Sequence, residues 1–354
     1  MLKKIFLGLI LFLAIAFASF YLYAQSVIVE FSAEQERRIQ QAILDPVPKQ
    51  TGEEGFAQNG DTRIWYDIQN PGDSVKGSIV LIMGLGADAL AWPRPFMNQL
   101  LEEGYRVIRL DNRGVGMTDW DSFDPDNPYS LSDMANDVLA VLDTLDIEKA
   151  HIAGVSMGGM IGQTLCIEHP ERAASLVSMM STPWVRDPEL PMLTISSFLN
   201  IGINGRHYDD NGSEEGAVKT RLAVRTYLMG SHEYEFDIER IAHLALYNVR
   251  ERNGYNPDAG RQQTTAIEIS GSRIEQLKEL QVPTLVIHGK TDPLIPFEHG
   301  VKTAELIPNA DTLWIDGLGH VIAPMYTDTI VVRIVDHMNA AQQLKITNEH
   351  NEIM

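Results

Sequence analysis

Ala150-His151-Ile152-Ala153-Gly154-Val155-Ser156-Met157-Gly158-Gly159 decides how this chain folds. An apolar run, 150–155, leads into a G-x-S-x-G turn. A helix-like stretch, 158–169, leaves it and stops at Pro170. A strand-to-helix turn this tight lifts a serine hydroxyl clear of the sheet on strained backbone. Glycines at 154 and 158 suit it because side chains there would collide with their neighbours.

Working outward, short apolar runs at 78–83, 106–110, 174–180, 284–288 and 312–315 read as further strands. Between them, 94–103 and 132–145 have helical spacing, with Leu131, Met134, Val138, Leu142 and Leu145 on one face. This alternation predicts an α/β fold: a mostly parallel central sheet with helices on both faces. It fails over 183–279, a stretch richer in polar residues and too long for a connection. That stretch predicts an inserted helical cap over the carboxyl edge of the sheet. The core then falls into two parts, 54–182 and 280–346, with 347–354 a polar tail.

The chain has 354 residues, 44% of them hydrophobic, enough for one large core. Its formal charge is -20. The first 24 residues carry two lysines and no acid, which leaves -22 on the remainder. Such a body repels phosphate backbones, so nucleic acid is not an expected partner. One cysteine, Cys166, excludes an intramolecular disulfide and reads as a small core residue. No Cys/His pattern predicts a zinc site.

Lys3-Lys4 precede an uncharged run, 5–24, which as a helix is about 30 Å long and long enough to span a bilayer. Residues 1–24 therefore read as a membrane anchor with the lysines cytoplasmic, or as a signal peptide cut after Ala16-Phe17-Ala18. Either places the body outside the cytoplasm, membrane-attached if the segment is uncleaved, periplasmic or secreted if it is cut. Residues 25–53 read as a connector that could also pack on the body. Within it Ser32 and Gln35 form a capping-box pattern that predicts a helix to about Leu44.

A serine hydroxyl attacks only when a base takes its proton and a third group orients that base. Asp292, in Thr291-Asp292-Pro293, follows the strand 284–288. His320, in Gly317-Leu318-Gly319-His320, follows the strand 312–315. Both lie just past strand ends, where ligands bind in open α/β sheets. The candidate triad is Ser156 as nucleophile, Asp292 as orienting acid and His320 as general base. The developing oxyanion needs two backbone donors. The amides of Met157, after the nucleophile, and Leu85, in Gly84-Leu85-Gly86-Ala87, are the candidates. His288, His151 and Asp316 read as structural by position, as do Asp111 and Arg113 in their shared loop. Trp92, Trp184 and Phe123 read equally as pocket lining or core.

Over about 54–340 the chain resembles the α/β-hydrolase superfamily. The elbow, Met83-Gly84-Leu85-Gly86, the 111–116 loop, His288-Gly289-Lys290-Thr291-Asp292 and Gly319-His320 stand in that superfamily's order. Ala91-Trp92-Pro93 and Ser178-Met179-Met180-Ser181-Thr182 make it similar to the aclacinomycin methylesterase-like branch. Met83 stands where many members carry histidine. The resemblance implies hydrolysis of a small-molecule carboxylic ester through an acyl-enzyme, with no cofactor or metal. Alternatives that keep the same residues are a proline iminopeptidase or amidase, a C–C hydrolase and a cofactor-free haloperoxidase-like enzyme. An aminopeptidase would need cap acids such as Glu214, Glu215, Glu233 and Glu235 to hold the substrate's ammonium. The last alternative is a non-catalytic membrane-tethered binding protein. The sequence does not specify an oligomeric state.

Overall fold

The computed structural model describes residues 2–72, 74–209, 212–231 and 237–353. Two helices come first, α1 (Leu2–Ser26) and α2 (Ala33–Leu44). The strands β1 (Glu53–Asn59), β2 (Thr62–Gln69) and β3 (Gly77–Ile82) follow. Next come α3 (Arg94–Glu102), β4 (Tyr105–Leu110), α4 (Leu131–Thr144), β5 (Ala150–Val155), α5 (Met157–Glu168) and β6 (Ala173–Met179). An insert carries α6 (Ile195–Tyr208), α7 (Glu214–Leu228), α8 (Ile238–Glu251), α9 (Ala259–Ser270) and the short α10 (Ile274–Leu277). The chain closes with β7 (Thr284–Gly289), α11 (Phe297–Leu306), β8 (Asp311–Ile315) and α12 (Thr327–Ile353).

The eight strands form one sheet in the order β1-β2-β4-β3-β5-β6-β7-β8. Every pairing from β4 to β8 is parallel, and β1 and β2 are antiparallel additions at one edge. The mostly parallel sheet read from the sequence is thus present. The β1–β2 hairpin was not among the expected strands, although Asn59-Gly60 is a hairpin signal and Gly60 has φ 56°.

Burial on both faces explains the continuous apolar strands. In β3, Val80 and Ile82 face one core layer with Met134, Val138 and Leu142 of α4 and Ile161 of α5. Ile79 and Leu81 face the other with Phe96 and Leu100 of α3 and Ile330 and Ile334 of α12. The order reverses around β3, which has β4 on one side and β5 on the other, so the loops after β3 and β5 lie side by side at the carboxyl edge.

The capping box at Ser32 and Gln35 is formed, and α2 starts there. The stretch expected as a connector packs on the insert. Ile39 and Ala42 are buried against Val218 and Leu222 of α7 and Ile241 of α8, and Arg38 pairs with Glu239 at 2.7 Å. At the other end, α12 runs on as helix through the residues expected as a polar tail.

Within α1, Leu9–Ser26 is apolar and unburied, with the length and composition of a bilayer span or a signal sequence. The last turn of α1 and the chain just after it dock on the insert. Tyr23 donates to Asn200 at 2.7 Å, and Asn204 donates to the Val27 carbonyl and accepts the Val29 N–H, both at 2.9 Å.

Candidate active site

Ser156 joins β5 to α5 at φ 57° and ψ -119°, backbone that a serine adopts only when its surroundings force it. The surroundings are visible. A Cβ on Gly154 would lie 2.1 Å from the Gly158 carbonyl oxygen, and one on Gly158 would lie 2.1 Å from the Ile82 carbonyl oxygen. The turn is therefore closed by backbone packed on backbone. The Ser156 N–H donates to the Met179 carbonyl at 2.8 Å, and Ser181 Oγ donates to the Ser156 carbonyl at 2.7 Å, so the residue is held on both sides.

Asp292 sits in the loop after β7. Its Oδ1 accepts the N–H groups of Leu294 and Ile295 at 2.8 and 2.9 Å, and its Oδ2 lies 2.7 Å from His320 Nδ1. Burial works to raise its carboxyl; the facing His320 and these hydrogen bonds outweigh that and hold it below the usual carboxylate range. An ionised Asp292 accepts the Nδ1 proton of His320, which leaves Nε2 as the basic nitrogen. His320 and Ser156 line one cavity of about 980 Å³. Among the described residues no hydrogen bond joins the Ser156 hydroxyl to His320. The structure thus pairs Asp292 with His320 and places Ser156 on the same cavity wall.

The loop after β3 forms another wall. Gly84 approaches Ser156 so closely that a Cβ there would lie 3.1 Å from Ser156 Cβ. Gly84–Ala87 is a turn closed by the Ala87 N–H to the Gly84 carbonyl at 3.2 Å, with Gly86 at φ 70°. Met157 opens α5, where backbone N–H groups have no partner inside the helix. No hydrogen bond from the Leu85 N–H is made among the described residues. Met83 lines the cavity from the edge of the core, and its carbonyl accepts Asn112 Nδ2 at 2.8 Å.

The insert supports both loops. The His320 N–H donates to the Leu228 carbonyl at the end of α7 at 2.7 Å. Arg221 of α7 and Asn248 of α8 bind Asp88 at 2.7 and 2.9 Å. Arg252 binds Asp111, whose carboxylate also accepts the N–H groups of Ala89 and Met117 at 2.8 Å. Burial, opposed by Arg252 and aided by Asp88, pushes the Asp111 carboxyl up to about 6. Arg113 turns the other way and pairs with Asp137 at 2.5 Å.

His288 is buried and its Nε2 lies 3.0 Å from the Ile295 carbonyl. His151 lies at the start of β5 against Ser175 and Gln342, and Asp316 pairs with Lys290 at 2.9 Å. Cys166 is buried, and burial raises its thiol far above the ordinary range. Trp92 is core; neither Trp184 nor Phe123 lines the cavity. Leu85, Met160, Phe198, Leu228 and Ile322 do, side chains whose convergence no local spacing announces. Glu214 pairs with Arg250 at 2.6 Å and Glu215 with Lys219 at 2.7 Å; Glu233 and Glu235 lie outside the described residues.

Residues 77–202 match the family model described as the alpha/beta hydrolase fold. The rhodomycin D methylesterase DauP of Streptomyces sp. (strain C5) is 26% identical over 282 residues, 76% of this chain and 93% of its own. A 2-hydroxy-6-oxononadienedioate/2-hydroxy-6-oxononatrienedioate hydrolase of Cupriavidus pinatubonensis (strain JMP 134 / LMG 1197) is 31% identical over 268 residues, 74% of this chain and 86% of its own. Among solved structures, a membrane phospholipase A shares the fold with a TM-score of 0.61 at 20% identity, covering 96% of this chain and 99% of its own. The residues left over are fewer than α1 holds, so that match extends into α1. With a parallel sheet in this order, a serine on the β5–α5 turn and relatives that are hydrolases over most of their length, the chain belongs to the α/β-hydrolase superfamily and is a hydrolase.

Proposed function

We propose that this protein is a carboxylic ester hydrolase working through an acyl-enzyme on Ser156. The observation that carries the reading is the His320–Asp292 hydrogen bond at the wall of the cavity that also holds Ser156. His320 takes the Ser156 proton as Oγ attacks the ester carbonyl. The amides of Leu85 and Met157 receive the oxyanion, and collapse of the tetrahedral intermediate expels the alcohol, which leaves with the proton from His320. Water, activated by the same imidazole, then releases the acid and frees Ser156. The cavity's size and apolar walls favour an ester with a sizeable apolar acyl or alcohol part. The 26% likeness to a methylesterase supports an ester rather than another acyl compound. The apolar α1 supports a body held outside the cytoplasm, by an anchor if the segment is retained.

A second reading, C–C bond hydrolysis, draws on the 31% identical dienedioate hydrolase. The aminopeptidase reading is weakened by Glu214 and Glu215 being paired within the insert. Turnover of p-nitrophenyl esters from acetate to palmitate, beside a vinylogous 1,5-diketone acid and a proline anilide, decides among them. Ester cleavage that disappears in both Ser156→Ala and His320→Ala supports the proposal. Cleavage of only the diketone or only the anilide overturns it.

A further inference from the structure

We infer that Gln263, on α9 of the insert, is a positioning residue for the oxyanion donor at Leu85. The inference rests on the ester-hydrolase reading and adds to it a residue outside the expected site. Gln263 is fully buried, 0% exposed. Its Oε1 accepts the Gly86 N–H at 2.7 Å, and its Nε2 donates to the Arg113 carbonyl at 3.0 Å. Both ends of the amide are therefore used, which fixes its orientation.

The geometry of the loop gives that contact its consequence. The donor is the N–H of the Gly84–Leu85 peptide. Its carbonyl is tied to the Ala87 N–H at 3.2 Å. In a trans peptide the N–H points opposite to the carbonyl, so tying one aims the other. The preceding peptide is anchored by Asn112 on the Met83 carbonyl at 2.8 Å. The following peptide, Leu85–Gly86, is the central unit of the turn. With Gly86 at φ 70° its N–H points out of the turn, away from the turn's own carbonyls. Gln263 supplies its acceptor from the insert. Without it, the Gly86 N–H loses the acceptor that fixes the central peptide, and rotation of that peptide swings the neighbouring donor away from the oxyanion.

The insert thus shapes the pocket and also holds the catalytic loop. Displacing α9 by a fraction of an ångström would misaim the donor without touching substrate.

The test compares Gln263→Met, which keeps the length and removes both polar atoms, with Gln263→Glu, which keeps an oxygen facing Gly86. The full chain is assayed for p-nitrophenyl ester turnover and for inhibition by an alkyl trifluoromethyl ketone, which forms a tetrahedral adduct on the serine. Gln263→Met is expected to lower kcat about 10- to 100-fold with KM within about twofold, and to weaken the ketone by a similar factor. Gln263→Glu, whose buried carboxyl when protonated accepts from Gly86 and donates to the Arg113 carbonyl, is expected to recover most of both. If Gln263→Met does not fold, Gln263→Asn, one methylene short of Gly86, replaces it with the same expectation. Wild-type kcat in the folded Met or Asn variant, or a loss in Gln263→Glu as deep as in Gln263→Met, overturns the inference. Ester turnover that survives Ser156→Ala overturns the hydrolase mechanism and this inference with it. A dead Ser156→Ala beside a fully active Gln263→Met overturns the role of Gln263 alone.

Discussion

His320 Nδ1 and Asp292 Oδ2 stand 2.7 Å apart, although 28 residues of chain, including α11 and β8, separate them. The other carboxylate oxygen is fixed by two backbone N–H groups of its own loop. The remaining oxygen faces the His320 imidazole at hydrogen-bond distance, with His288 Nε2 further off at 3.5 Å.

Replacing Asp292 by asparagine keeps the side chain's size and lets its oxygen accept the two backbone bonds. The amide N–H₂ then faces His320 Nδ1 and selects the wrong tautomer. Asp292→Asn is expected to fold with a melting temperature near that of the wild type and to lose about 10³- to 10⁴-fold in kcat. Steady-state kinetics beside a thermal melt check this. A variant within tenfold of the wild type would remove Asp292 from the mechanism.

Gly158→Ala places a Cβ 2.1 Å from the Ile82 carbonyl oxygen, inside any permissible contact, and neither backbone can retreat. The expected cost is about 3 kcal/mol or more, seen as a large drop in melting temperature or as insoluble protein. Gly202→Ala serves as a control, because a Cβ there meets nothing within 4 Å.

Asp111→Ala takes from the buried Arg252 its nearer carboxylate, leaving only Asp88 at 3.9 Å, and strips an acceptor from the N–H groups of Ala89 and Met117. Removing one partner of a buried ion pair costs about 3–5 kcal/mol. Chemical denaturation should show a loss of that order. A loss below about 1 kcal/mol would mean that the insert is not held to the core by this contact.

Burial, reinforced by the nearby His337 and Lys149, draws the His151 imidazole down to about 4. The folded protein keeps it neutral, while the unfolded chain protonates it near the ordinary value of about 6.5. The stability it contributes is fully present above that ordinary value and is lost as pH falls from about 6.5 to about 4, by at most about 3 kcal/mol. Unfolding midpoints measured across that window should fall less steeply in His151→Gln than in the wild type. Parallel curves would contradict the assignment.

The central strands, the elbow and the order of Ser156, Asp292 and His320 are readable from the sequence because each is local. Runs such as 78–83 and 150–155 are apolar throughout since both faces are covered, and Ser156, Asp292 and His320 each follow such a run. What the sequence hides is contact between distant segments. Trp92 is as apolar as any pocket wall, but it is packed beside Phe96 under the sheet. Ile39 and Ala42 of α2 look like one face of an isolated amphipathic helix until α7 and α8 cover them. Gln263 is one glutamine in a polar helix, and only the fold brings it to Gly86, 177 residues earlier in the chain.

The most direct test is reaction of the full chain with an alkyl fluorophosphonate, followed by intact mass and peptide mapping. The account predicts a single adduct on the peptide containing Ser156, slowed by an ester substrate, absent from Ser156→Ala and matched by loss of ester turnover. Ester hydrolysis that continues with Ser156 unmodified, or that persists in Ser156→Ala, would contradict it.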